Sequence, residues 1–153
     1  MNDSTDLRPR IARRHQRIGW WGLLLFLTLG LALETLHGFK VGAYLDPEHR
    51  NRRLMWTLAH AHGTLISLVN IAFAATLVQF GRWTPARLKL ASFFLIDALL
   101  LLPTGFFLGG VWHTETDPWL GVLLVPLGAI LFLIAVALIA IAATHSDDGS
   151  AHE

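Results

Sequence analysis

Cysteine is absent from this chain of 153 residues, which removes disulfides, thiolate metal sites and thiol catalysis together. Any metal must then be held by nitrogen and oxygen. Charge is also scarce: only 15% of residues are Asp, Glu, Lys or Arg, against 54% hydrophobic. A soluble domain of this length would carry polar faces along its helices. No phosphate loop, nucleophile motif or substrate clamp is recognisable, and no repeat or second domain interrupts the chain. A net charge of +1 gives no footprint for nucleic acid.

What the chain does have is four long apolar runs, at residues 18–37, 54–80, 88–108 and 119–144. Roughly 20 apolar residues cross a hydrocarbon core of about 30 Å, so each run is long enough to span a bilayer. The expected fold is all-α, a polytopic membrane protein with four transmembrane helices. Short connections at 81–87 and 109–118 make consecutive helices antiparallel neighbours in an up-down-up-down bundle. A basic N-terminal tail (1–17) and a polar C-terminal tail (145–153) flank the transmembrane domain (18–144). The connection 38–53 is the longest and contains the turn signal Asp46-Pro47. The first run exceeds the h-region of a signal peptide, and 33–38 lacks a small-x-small cleavage site, so it is expected to be a retained helix.

Eight of the twelve basic residues fall on the side of the N-terminus: Arg8, Arg10, Arg13, Arg14, Arg17, Arg82, Arg87 and Lys89. Lys40, Arg50, Arg52 and Arg53 lie on the other side. The positive-inside rule then places both termini in the cytoplasm, as in a bacterial inner membrane, with the cluster in the first loop opposing that assignment. Trp20, Trp21, Trp56, Trp83, Trp112 and Trp119 fall near span ends, as an aromatic belt requires.

In this topology Glu34, His37, His60, His62 and His113 all converge on the outer face. Glu34 and His37 are spaced i, i+3, the Glu-x-x-His spacing by which bundle helices present a carboxylate and an imidazole to one ion. The same pair is equally what an interfacial glutamate beside a satisfied histidine would look like. On the second helix His60 shares a face with Gly63, Thr64, Ser67, Asn70 and Ala74, a small-and-polar stripe of the kind that faces other helices. His62 lies about 200° away, so both histidines cannot point at one bundle axis, and His60 is the better interior candidate. Asp97 sits mid-span, where an unpaired carboxylate costs several kcal/mol. It is expected to face inward, bonded to Asn70 or Ser67 or relaying protons from the outer histidines. Pro126 is expected to kink the fourth helix, and Pro103 with Gly105 to loosen the outer end of the third.

The segment 58–66, LAHAHGTLI, resembles the His-x-His helix in the catalytic subunit of haem-copper oxidases and nitric oxide reductases, and in short four-helix membrane proteins related to it. Arg52 and Arg53, followed by Ala59-His60-Ala61-His62-Gly63, resemble the second helix of that family. The resemblance implies an axial haem ligand at His60 or His62 without deciding between them. The chain lacks the family's further helices and the histidines of its copper or iron site, which argues against oxygen or nitric oxide reduction by this polypeptide alone.

Three functions follow as expectations. The first is a non-catalytic protein holding copper, zinc or b-type haem near its outer face through His37, His60, His62 and His113, with Glu34 favouring a non-haem metal. The second is an accessory subunit of a larger respiratory or transport complex, or a self-associating one, with no cofactor of its own. The third is a small intramembrane enzyme or transporter moving protons through Glu34, His60 and Asp97.

Overall fold

The computed structural model describes residues 3–79, 83–111 and 118–144. They form α1 (Asp3–Gly38), α2 (Gly42–Leu45), a 3₁₀ turn (Pro47–His49), α3 (Arg50–Gln79), α4 (Pro85–Val111), a second 3₁₀ turn (Leu120–Leu123) and α5 (Leu124–Thr144). The chain is all-α. Four segments, Leu7–Gly38, Pro47–Gln79, Pro85–Val111 and Leu120–Thr144, are long and apolar enough to cross a bilayer, the architecture of an integral membrane protein.

The basic segment expected as a tail belongs to α1. Ile11, Ala12, His15 and Gly19 recur at helical spacing and are buried, while Arg10, Arg13, Arg14 and Arg17 take the opposite, exposed face. Ile11 and Ala12 join the core beside Phe73, Leu77, Trp83 and Leu88. Burial of one face extends the helix well beyond its apolar run. At the other end α1 stops in a paired-bond cap: Val41 N–H donates to Leu36 O at 3.1 Å and Lys40 N–H to His37 O at 3.1 Å. Lys40 occupies the left-handed position of that cap at φ 52°, where glycine is usual.

The connection after α1 is short helix and turn rather than open loop, and arginines fasten it. Arg53 Nη1 donates to the carbonyls of Tyr44, Leu45 and Asp46 at 3.1, 2.6 and 3.2 Å. Arg52 donates to Ala43 O and, across the bundle, to Gly110 O, both at 3.3 Å, and its guanidinium lies 5.6 Å from the Trp56 ring centroid. Trp56 stacks on Phe107 and donates its indole N–H to the Phe107 carbonyl at 3.2 Å. Two of the four basic residues that oppose the charge-based topology, Arg52 and Arg53, therefore satisfy carbonyls of this end of the bundle.

Helices pack in chain order: α1 on α3, α3 on α4 and α4 on α5, with a thin contact between α1 and α4. Successive long helices are antiparallel, since Gly19 meets Ile71 while Gly30 meets His60, and Trp56 meets Phe107 while Phe73 meets Trp83. The core lies between α3 and α4, where Ile66, Phe73 and Leu77 pack with Leu88, Ala91, Leu95 and Leu99. The first and fourth spans form the edges, only 11% buried against 39% and 44% for the middle two. Their exposed Trp21, Leu25, Leu31, Leu127, Ile130 and Leu133 are surface that hydrocarbon can cover. Pro103 is buried within α4, which continues to Val111, and Pro126 stands in the first turn of α5, where a missing N–H costs little. α4 thus runs on past Pro103, and the fourth span changes from 3₁₀ to α-helix at Leu123–Leu124, just before Pro126.

Candidate functional site

Around its fourth turn α3 meets the Phe26–Gly30 stretch of α1 through two reciprocal contacts. The His60 ring of α3 stands over Gly30 of α1, and the Phe26 ring of α1 stands over Gly63 of α3; a Cβ at either glycine would overlap the facing ring. Each helix thus supplies a bare backbone patch beneath an aromatic ring of the other, which lets the axes approach closely. Towards the end of α1 the helices separate and leave a cleft of about 540 Å³. Leu27, Leu31 and Leu33 give it apolar walls, Glu34, His37, Thr57 and His60 are its polar groups, and Tyr44 of α2 closes one side. A mostly apolar cleft with a few convergent polar side chains is the usual form of a small-ligand site.

His60 is the best-defined of these groups. Its Nδ1–H donates to the Phe26 carbonyl at 2.7 Å. A carbonyl only accepts, so Nδ1 carries the proton and Nε2 of the neutral ring holds a free lone pair. Among the described residues Nε2 has no partner, and it is not among the buried unpaired atoms. Glu34 and His37 lie on adjacent parts of α1's last two turns and are exposed. The cleft therefore gathers three of the expected ligands. Among the described residues, however, no three histidine, aspartate or glutamate side chains are set to hold a metal ion. His113 lies outside the described residues.

His62 points elsewhere, as its angular offset demands. Its Nδ1–H donates to the carbonyl of Leu58 at 2.9 Å, and the ring packs on Phe106 of α4 at 5.0 Å between centroids. The two histidines of the His-x-His segment serve different helix pairs: His60 faces α1 and the cleft, His62 faces α4.

Asp97 is half-buried and has no hydrogen-bond partner among the described residues. It shares the outer face of α4 with Phe93 and Leu100, each 59% exposed. Neither Asn70 nor Ser67 bonds to it. Ser67 is fully buried with an unpaired hydroxyl that faces Gly22 of α1. The proton-transfer set of Glu34, His60 and Asp97 is thus not assembled at one site.

Asn70 has a partner that sequence reasoning missed. His15, fully buried, places Nδ1 at 2.6 Å from Asn70 Oδ1 and Nε2 at 2.8 Å from Ser92 Oγ. Asn70 Nδ2 donates to Ile66 O at 2.8 Å, which turns the amide oxygen toward the imidazole. His15 Nδ1–H must therefore donate, and in the neutral ring Nε2 accepts from the Ser92 hydroxyl. Phe73 meets the ring edge-on at 4.8 Å. The network ties α1, α3 and α4 together at the end opposite the cleft. The usable signal was the period of Ile11, His15, Ile18 and Gly22, hidden inside an arginine-rich stretch.

No family model, curated protein or solved structure matches this chain.

Proposed function

We propose that the protein binds a b-type haem or a metal-centred ligand, without catalysing a reaction of its own, in the cleft between α1 and α3, with His60 Nε2 as the ligating atom. The observation that carries this reading is the hydrogen bond from His60 Nδ1–H to the Phe26 carbonyl. Ligating histidines characteristically donate their second ring nitrogen to a carbonyl or carboxylate, which fixes the tautomer and aims the free nitrogen. The apolar walls and the absence of a three-ligand cluster among the described residues favour haem, which needs one axial imidazole from this chain, over a bare copper or zinc ion. Glu34 and His37 then line the cleft without sharing the iron.

Protein purified in mild detergent and examined by absorption and elemental analysis tests this directly. Stoichiometric iron with a Soret band that disappears in His60→Ala and survives in His62→Ala is the expected result. Copper or zinc retained after chelator washing would select the Glu34–His37–His60 set instead. Colourless, metal-free protein would end the cofactor reading.

One observation favours a second reading, an accessory subunit of a larger membrane complex. Asp97 sits mid-span on an outer face, where an ionisable side chain usually answers a partner. Co-purification of a larger assembly that Asp97→Leu disrupts, in metal-free protein, is the outcome that would establish it.

A further inference from the structure

At the end of α1 opposite the cleft, Arg10, Arg13, Arg14, Arg17 and Ile18 line a shallow groove of about 350 Å³. The four arginines follow i, i+3, i+4, i+7 and so share one helix face, directly opposite the face that buries Ile11, Ala12 and His15. Among the described residues no carboxylate pairs with Arg13, Arg14 or Arg17. This contrasts with Arg52 and Arg53, whose guanidiniums are taken up by carbonyls. Depth can be judged from the next turn. Trp20 and Trp21 are 56% and 71% exposed, and exposed tryptophans at a span end mark the boundary of the hydrocarbon. At 1.5 Å per residue, Arg17 lies about 6 Å and Arg14 about 10 Å beyond Trp21. The headgroup layer on each side of a bilayer is about 5–8 Å thick. Arg17 thus falls within the headgroup layer, and Arg13 and Arg14, just beyond it, can reach back to phosphate level on long flexible stems. Continuing along the same face, Trp21, Leu24 and Leu25 are exposed and apolar. One helix face thus reads charge first and hydrocarbon next, in the order of a lipid molecule.

We propose that this face is a binding site for an anionic glycerophospholipid, its phosphodiester gripped by Arg13, Arg14 and Arg17 and an acyl chain lying along Ile18, Trp21 and Leu25. Guanidinium forks match phosphate oxygens bidentately, which an ammonium cannot do. The site is independent of the cleft and of whatever the cleft holds.

The full chain, exchanged into micelles doped with either phosphatidylglycerol or phosphatidylcholine, is examined by native mass spectrometry for lipid that stays bound. Phosphatidylglycerol should be retained selectively. Each arginine at the membrane surface is worth about five-fold in affinity, so Arg14→Gln/Arg17→Gln should weaken retention about 25-fold. Arg14→Lys/Arg17→Lys keeps the charge and the fold and should lose part of it. Arg87→Gln/Lys89→Gln, at the same end of the bundle, should change nothing. Equal retention of the two lipids overturns the proposal, as does full retention in the lysine variant. Equal loss in the Arg87/Lys89 variant would show a diffuse field instead of a site, and displacement by millimolar inorganic phosphate would show a free-anion site instead of a lipid one.

Discussion

His15 and His60 mark the two ends of the α1–α3 interface, and they differ in one hydrogen bond. His15 uses both ring nitrogens, on Asn70 and Ser92, and is fully buried where three helices meet. His60 uses one nitrogen, on the Phe26 carbonyl, and is half-buried beside a cleft. With both nitrogens engaged the imidazole is a cross-tie with nothing left to offer. With one engaged it is oriented and still has a lone pair. A free nitrogen that faces the cleft, not residue type, separates His60 from His15; His62 also bonds through one nitrogen but packs on Phe106, away from the cleft.

The sharpest way to break this comparison is His60→Ala. It should abolish ligand retention while costing about 1 kcal/mol of stability, since it removes one hydrogen bond at a half-exposed site. A Soret or metal signal that persists in folded His60→Ala protein would remove the distinction. His15→Ala should do the reverse. Leaving Asn70 Oδ1 and the Ser92 hydroxyl unpaired in a buried pocket costs on the order of 2–4 kcal/mol, measurable by denaturation in mixed micelles, with ligand stoichiometry retained in the folded fraction. Asp97→Leu should stabilise the isolated chain by roughly 1–3 kcal/mol, because it removes an unpartnered carboxylate from a hydrocarbon-facing surface. A loss of stability in the isolated chain would mean that Asp97 is paired within it. The smallest effect is expected at the cap between the two histidines' helices: Lys40→Gly should gain about 0.5–1 kcal/mol by relieving a positive φ, seen as a small rise in melting temperature.

The spans were legible because hydrocarbon length imposes a run of apolar residues that composition alone reveals. Antiparallel order followed from short connections, and the separation of His60 from His62 followed from 100° per residue. The limits have physical causes. Arginine density masked the buried face of Arg10–Arg17's helix, so His15 was not seen as a core residue. Asp97 was expected inward because a closed bundle has an inside for every helix, whereas helices packed in chain order leave α4 an uncovered face. Pro103 was read as loosening a helix end, yet α4 simply continues to Val111 around it. The cleft itself depends on α2 and on glycine–ring contacts between distant residues, which no local pattern carries.

The edge position of α1 bears on how a ligand would arrive. Its long flank rests on α3 alone for most of the span, so the seam beside His60 borders the bilayer and not a sealed interior. A lipophilic guest partitioned in the membrane would reach that seam laterally, without first crossing water. Traffic into the site would then track the membrane concentration of the guest, and solubility in the surrounding buffer would matter little.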